Sequence, residues 1–443
     1  VKIVLPEIQI NDDTGFDPAI DIFRRKDFGE RLANLIENAE GNLVIALDAG
    51  WGQGKSTFIK MWRGHLSHHR DSKIQSVYFD AFENDYQKDP FLALASEMYQ
   101  LIPDADASNK TKFKDKAIKA GKSLARGTLK LTVKTVTAGI VDGSTFDAAE
   151  SGISSLIADQ VDDLVKEKFE HAQKDKLALK EFKKHLSEFS KNVGNDKPIV
   201  FIIDELDRCR PDFALELLEQ VKHLFSVEGI TFLLVTNRVQ LEQSIIAKYG
   251  GIDPVNYLHK FINVWLTMPR SAEEHNDNGY QYLRYVIQSM LLDGNGNSSL
   301  KDCENVLYEI VQYYQPSFRE IDRILSYFAI LSNMAGQQGY ESNFEFIMAI
   351  VCYLKACKPS ALNPVNGTLS YNLIASAANF ADIEKTERFS QLEYITRLVK
   401  FDFGDQELKD KMIEEKQINQ PNLFRQTSNR LILINKWLTE ITN

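Results

Sequence analysis

The sequence predicts an α/β fold: a mostly parallel sheet between helices, a helical insertion, and an all-α C-terminal half. Short apolar runs at 42–47, 74–79, 198–203 and 230–236 alternate with amphipathic helical stretches. Unbroken apolar strands are buried on both faces, which a parallel sheet covered by helices provides. Beyond about residue 270 such runs vanish and helical patterns take over, which predicts the second half.

Each element follows in order. Residues 17–38 read as a helix, with Ile22, Phe23, Phe28, Leu32 and Leu35 at roughly helical spacing. The run at 42–47 closes on Asp48 and a glycine-rich turn, and 57–66 continues as a helix. A strand at 74–79 precedes helical sequence from Pro90 to Leu101. Residues 103–195 break the rhythm: a basic run at 110–134, a small-residue middle at 129–157, and a charged amphipathic helix at 165–189. The sheet pattern returns at 198–203, followed by a helix at 211–225. Pro211 suits its first turn because the missing N–H costs nothing there. A strand at 230–236, a helix at 240–249 and long helical patterns ending at 423–441 complete the chain.

Composition narrows the class. The 443 residues are 44% hydrophobic and 26% charged, ordinary for a globular protein with room for two or three domains. A net charge of −10 excludes a surface that is a nucleic-acid platform throughout, and leaves a local basic patch open. Cys209, Cys303, Cys352 and Cys357 form no CxxC pair, so a disulfide framework is not expected and a reducing cytoplasm fits. Cys352 and Cys357 are expected to pack as small hydrophobes. Residues 1–10 are too short and mixed for a signal peptide. A membrane span needs about 20 apolar residues, and Lys130, Lys134, Asp142 and Asp147 interrupt every window that comes near.

The chemistry lies between the first strand and its helix. Ala49-Gly50-Trp51-Gly52-Gln53-Gly54-Lys55-Ser56, followed by Thr57, has the composition and context of a Walker A phosphate-binding loop, although Ala49 replaces the usual first glycine. Glycines let the backbone curl around a β-phosphate with its N–H groups pointing inward at a helix N-terminus. Lys55 would reach the β- and γ-oxygens, and Ser56 would coordinate Mg2+. The run 199–205 is an apolar strand ending in Asp204 and Glu205, which reads as Walker B: Asp204 on the metal, Glu205 orienting and deprotonating water. Asn237, ending the strand at 230–236, is either a water-positioning sensor or a plain strand terminus. No Asn-Lys-x-Asp occurs there, so ATP is preferred to GTP.

With these motifs the chain resembles the KAP family of P-loop NTPases. The residues that carry the likeness are 48–56, with Trp-Gly inside the loop, Ile-Ile-Asp-Glu-Leu-Asp-Arg-Cys-Arg-Pro at 202–211, and Tyr-Leu-His-Lys-Phe-Ile at 257–262. The resemblance, over about residues 15–330, implies an additional-strand core, ATP hydrolysis and a helical lid. The family is associated with signalling scaffolds and, in bacteria, with exclusion of phages and mobile elements. Members often carry membrane helices between the Walker motifs, and this chain looks like a soluble member. By position, Asp207 and Arg208 match the family's acid and arginine after Walker B; they brace the site, meet a neighbouring subunit, or form a structural ion pair. Phe79-Asp80-Ala81-Phe82 and His259 depart from family positions that usually show Asn and Trp, and Glu. The expected domains are a core at 1–102 and 196–270, an insertion at 103–195, a lid at 271–345 and a C-terminal helical region at 346–443.

Weaker candidates remain. Ser317 to Arg323 is similar to the family's arginine-bearing lid helix, so Arg319 either touches the γ-phosphate or is an exposed helix arginine. His65, His68 and His69 have helical spacing, and a solvated helix end fits them better than zinc. Asp293, Asn295, Asn297 and Glu304 mimic a calcium loop but lack its glycine. The basic run is a solvated helix or an arm for nucleic acid, anionic lipid or an acidic partner; Phe113 is its one aromatic, which disfavours base stacking. The expected function is an ATP-driven switch in a larger assembly with protein partners or self-assembly, in defence or signalling. A nucleic-acid-dependent motor and an ATP-holding scaffold are the alternatives.

Overall fold

The computed structural model describes residues 10–11, 13–39, 41–87, 89–104, 106–128, 153–194, 197–269, 278–291, 303–334, 340–364, 368–386, 388–418 and 429–442. Five strands, β1 (Val44–Asp48), β2 (Ser76–Asp80), β3 (Ile199–Asp204), β4 (Ile230–Thr236) and β5 (Val264–Thr267), form one sheet in the order β2-β3-β4-β1-β5. Every pairing is parallel. Because side chains alternate, Ala46, Phe201, Phe232 and Leu234 enter one apolar cluster while Leu47, Ile202, Leu233 and Val235 enter the other. Helices α1 (Lys26–Glu37) and α2 (Lys55–Gly64) close the second cluster; α3 (Pro90–Gln100) and α6 (Pro211–Gln220) close the first. Both faces are therefore covered, which is why the strands read as continuous apolar runs.

Register places the site. Asp48 lies opposite Thr236, Asp204 opposite Val235, and Asp80 opposite Asp204, so the strands end together along one edge. β4 separates β1 from β3, the extra strand that the sequence places between the two motif-bearing strands. Ligand sites of open α/β sheets form beyond such carboxyl ends.

Two details differ from the sequence reading. The first helix does not span 17–38: α1 begins at Lys26. Buried Asp21 accepts from the amides of Arg25 (2.8 Å) and Lys26 (3.1 Å), and Arg24 sits at φ 52°, so the preceding residues are held in turns. β5 went unrecognised because it is four residues long, with only Val264, Trp265 and Leu266 apolar, and lies partly exposed at the sheet edge. The helices α2 and α6 both run on into a π turn, at His65–His69 and Val221–Phe225.

The insertion is two helices, α4 (Ala107–Thr128) and α5 (Ile153–Gly194), packed on each other and on α3. Their anchor is aromatic. Phe182 meets Phe91, Phe113 and Phe225 with ring centroids 5.1, 6.0 and 5.6 Å apart. Phe113 is thus a core residue. Lys112, Lys114, Lys119 and Lys122 are exposed, Lys116 pairs with Glu181, and Lys130 and Lys134 lie outside the described residues. After α7 (Arg238–Tyr249), α8 (Pro254–Leu258) and β5, the second half is helical. α9 (Asn278–Leu291), α10 (Glu304–Tyr314), α11 (Phe318–Met334) and α12 (Ser342–Cys357) share one apolar cluster with the helices up to Arg430–Thr442. The expected division at 345/346 falls inside it. Cys209, Cys303 and Cys352 are buried thiols, and Cys357 is half-buried. Among the described residues no helix is long and apolar enough to cross a membrane.

Truncating a fully buried aromatic costs about 3–5 kcal/mol. Phe182→Ala is therefore expected to lower the urea midpoint markedly, and an unchanged midpoint would show that the insertion is not anchored through this ring.

Candidate functional site

The phosphate-binding loop closes because two of its glycines adopt the left-handed conformation, Gly52 at φ 71° and Gly54 at φ 75°. Ala49 has no positive φ, which is why the first glycine is dispensable here. Ala49 instead donates its amide to Thr236 O (3.2 Å), fixing the loop's start against β4. Gln53 Oε1 accepts from the Gly50 amide (3.1 Å) and braces the loop from within. Lys55 Nζ donates to Ala49 O (2.7 Å) and Gly50 O (3.3 Å) across the loop's mouth. Burial pulls the Lys55 ammonium below its usual range, opposed by Asp207, Asp204 and Glu205.

Trp51, partly exposed, donates its indole N–H to Asp207 Oδ2 at 2.5 Å. Asp207 Oδ1 accepts from Thr236 Oγ1 (3.2 Å), so the second acid ties the loop to the end of β4. Asp204 is fully buried at the end of β3, accepting from the Glu205 amide (2.8 Å) and Tyr78 Oη (3.2 Å). Burial raises its carboxyl above the ordinary range, opposed by hydrogen bonds from Ser56, Glu205 and Tyr78. Glu205 is one of few non-glycine residues at positive φ, 60°. Such a conformation costs about 1–3 kcal/mol and persists where the surroundings hold it. Its Oε1 lies 3.5 Å from Ser56 Oγ, and its Oε2 meets Arg208 Nε in an ion pair. Burial also raises Glu205, with Arg208 the main opposing influence.

The helical half docks directly on this loop. The Phe318 amide donates to Gly52 O (3.0 Å), so α11 starts on the loop's backbone. Phe318 stacks against Phe23 (4.9 Å) and Tyr282 (4.5 Å), whose own ring centroids lie 6.4 Å apart, so the three form one cluster. Arg25 is 4% exposed, lies over the Phe23 ring (4.6 Å) and reaches Gln53 O (3.3 Å) and Gly54 O (3.4 Å). Desolvation lowers its pKa to about 10. The result is a cavity of about 200 Å³ lined by Gly50 to Thr57, Glu205, Asp207 and Arg208, with Arg319 and Asp322 on the lid side and Ile20, Ile22 and Phe23 at the apolar end.

Most of the expected residues therefore converge: Gly50, Trp51, Gly52, Gln53, Gly54, Lys55, Ser56, Thr57, Glu205 and Arg319 line one cavity, with Asp204 bonded just behind it. Asn237 is used elsewhere: it accepts from the Gln240 amide (3.4 Å), caps α7, and does not line the cavity. Sequence reasoning missed Arg25, Phe23, Tyr78 and Tyr282. They belong to no motif, and only Tyr78, two residues before the strand end at Asp80, had a position that signalled it. His65 meets Glu30 (2.5 Å) and His69 meets Asp13 O (2.6 Å), an arrangement without a shared centre. Among the described residues no group of three or more His, Cys, Asp or Glu side chains is placed to hold a metal. Asp293, Asn295 and Asn297 lie outside the described residues. Arg210, within the same motif, grips buried Asp85 through its amide and Nε, both at 2.9 Å. His259 follows α8, exposed to solvent.

The model of the KAP family P-loop domain matches residues 25–335, most of the chain. No curated protein sequence matches. Two solved structures of the Aeropyrum pernix ORC2 protein are similar. One, described as ADPNP-ADP complexes, is 14% identical and covers 99% of this chain and 89% of that chain, with a TM-score of 0.36. The other, an ADP form, is 13% identical over 93% and 97%, also at 0.36. At that TM-score no role is carried across.

A Cβ added at Gly52 would lie 3.0 Å from Arg319 Cγ and 3.2 Å from its backbone N, at a φ that L-residues disfavour. Strain of about 1–3 kcal/mol corresponds to roughly a tenfold or greater loss of affinity. Gly52→Ala is expected to weaken ATP binding by that factor in a calorimetric titration, and an unchanged affinity would show that loop and lid tolerate the methyl.

Proposed function

The chain belongs to the KAP family of P-loop NTPases, and from that premise we propose that it binds ATP with Mg2+, hydrolyses it, and works as a nucleotide-driven switch within a larger assembly. The observation that carries this reading is the convergence of Lys55, Ser56 and Glu205, with Arg319 from the helical half, on one cavity.

In this reading the amides of the loop and the α2 N-terminus hold the β-phosphate, and Lys55 bridges the β- and γ-oxygens. The hard oxygen donors of Ser56 and Asp204 fit Mg2+, which would neutralise charge between those oxygens when bound. Glu205 orients a water in line with the γ-phosphorus and accepts its proton. As the P–O bond forms, the bond to the β–γ bridging oxygen breaks and its electron pair leaves with ADP. Arg319 spreads the charge on the transferring group. Asn237 caps α7 and takes no part. The apolar end, Ile20, Ile22 and Phe23, suits a base.

The switch reading rests on where the helical half meets the loop. Phe318 and Arg319 of α11 line the cavity beside the loop, so a triphosphate bound there would bear directly on that helix. Residues 271–345 would act as the lid, and partner surfaces would read its position. Family associations make a bacterial anti-phage or signalling complex, in the cytoplasm, the setting we favour.

Removing a general base lowers turnover by about 10²–10⁴-fold. Glu205→Gln is expected to bind ATP normally while losing turnover by that factor, and Lys55→Ala to lose binding as well. Turnover that survives Glu205→Gln sinks the hydrolytic reading. Rates that rise severalfold with DNA or RNA would instead favour a nucleic-acid motor working through Lys112, Lys114, Lys119 and Lys122.

A further inference from the structure

We infer that Arg208 is an exchangeable clasp: it pairs with Glu205 and transfers to the γ-phosphate when a triphosphate binds, freeing the carboxylate for the attacking water. This rests on the reading of Glu205 as the base. It adds a residue that discriminates ATP from ADP and sets when the base becomes available.

Four observations carry it. First, Arg208 Nε meets Glu205 Oε2, so one carboxylate oxygen is already occupied by a guanidinium. The other, Oε1, faces Ser56 Oγ at 3.5 Å. A water entering this site finds neither oxygen free of a neighbour. Second, the backbone beneath the clasp is fixed while the side chain is not. The turn Leu206–Arg208 is pinned by buried Asp207, bonded to Trp51 and Thr236, whereas the Arg208 side chain remains 30% exposed. Third, Arg208 lines the same cavity as Lys55 and Arg319, close enough for its charge to act on Lys55. Fourth, the pair is open to the solvent from the arginine's side, 30% exposed against 16% for Glu205, so a better anion entering the cavity can compete for the guanidinium. A phosphate carries more charge than a carboxylate and accepts the guanidinium fork bidentately.

The left-handed backbone of Glu205 fits this account. Its surroundings hold that backbone at φ 60°, and its side chain is the more buried of the two partners, 16% exposed against 30%, so the arginine is the freer to exchange. ADP lacks the γ-phosphate and would leave the pair closed. Base release is thereby tied to triphosphate occupancy, which limits futile activation of water in the ADP-bound and empty states.

The test is a calorimetric comparison of a non-hydrolysable ATP analogue and ADP, each with Mg2+, on the full chain as wild type, Arg208→Ala and Arg208→Lys, with turnover measured in parallel. Losing a charged contact to phosphate costs on the order of tenfold or more in affinity. Arg208→Ala is expected to lose about that factor for the analogue, to keep its ADP affinity, and to turn over at least about tenfold more slowly. Arg208→Lys should recover part of the analogue affinity. Unchanged affinities for both ligands, or equal losses for both, would overturn the clasp. Retained ADP binding also shows that the variant is folded. Glu205→Gln separates the two claims, because turnover surviving in it removes the base assignment and leaves the analogue-against-ADP comparison untouched.

Discussion

A single backbone hydrogen bond, from the Phe318 amide to Gly52 O, joins the two halves of this molecule at its most constrained point. Gly52 can offer that carbonyl because it is left-handed, and it is left-handed because the loop must reverse within a few residues to open the α2 N-terminus. Phe318 stacks against both Phe23 and Tyr282, so the same contact recruits the segment before α1 and helix α9. Arg25, also from that segment, holds the carbonyls of Gln53 and Gly54. The loop is thus gripped from its outer side by groups that do not belong to the sheet. Any change in the loop's shape is felt by all of them, which is the physical requirement for coupling nucleotide state to helix position.

The buried charges of the site are each met by partners within the protein. Lys55, Asp204 and Asp207 are all buried, a combination stable only if each has partners. Lys55 has two carbonyls, Asp204 an amide and a phenol, and Asp207 an indole N–H and a hydroxyl. The charges also support one another, since the carboxylates of Asp207, Asp204 and Glu205 favour the Lys55 ammonium against burial. Glu205 pairs directly with a partly exposed arginine, Arg208.

The central sheet and the two phosphate motifs were legible because each is local. An apolar run ending in a glycine loop, or in two acids, is written in consecutive residues, and its short length and β-branched content mark it as a strand. β5 was not legible, as an edge strand of four residues exposes too little apolar sequence. The start of α1 was misread because Asp21 and Arg24 stop an otherwise helical spacing through cap and backbone geometry that hydrophobic pattern does not record. Arg25 and Tyr282 were invisible for a different reason: their roles depend on segments distant in sequence meeting at the loop. Asn237 shows the reverse, a polar residue in a plausible register whose side chain is taken by a helix cap.

The central claim is that nucleotide binding at the loop is transmitted through the Gly52–Phe318 contact into the helical half. Hydrogen exchange followed by mass spectrometry tests it most directly, comparing peptides from 48–56 and 318–334 with and without a non-hydrolysable ATP analogue and Mg2+. A coupled loop and lid change protection together, with α11 amides shifting as well as those of the loop. Protection confined to 48–56, with 318–334 exchanging as in the free protein, would contradict the account and leave the helical half a passive neighbour.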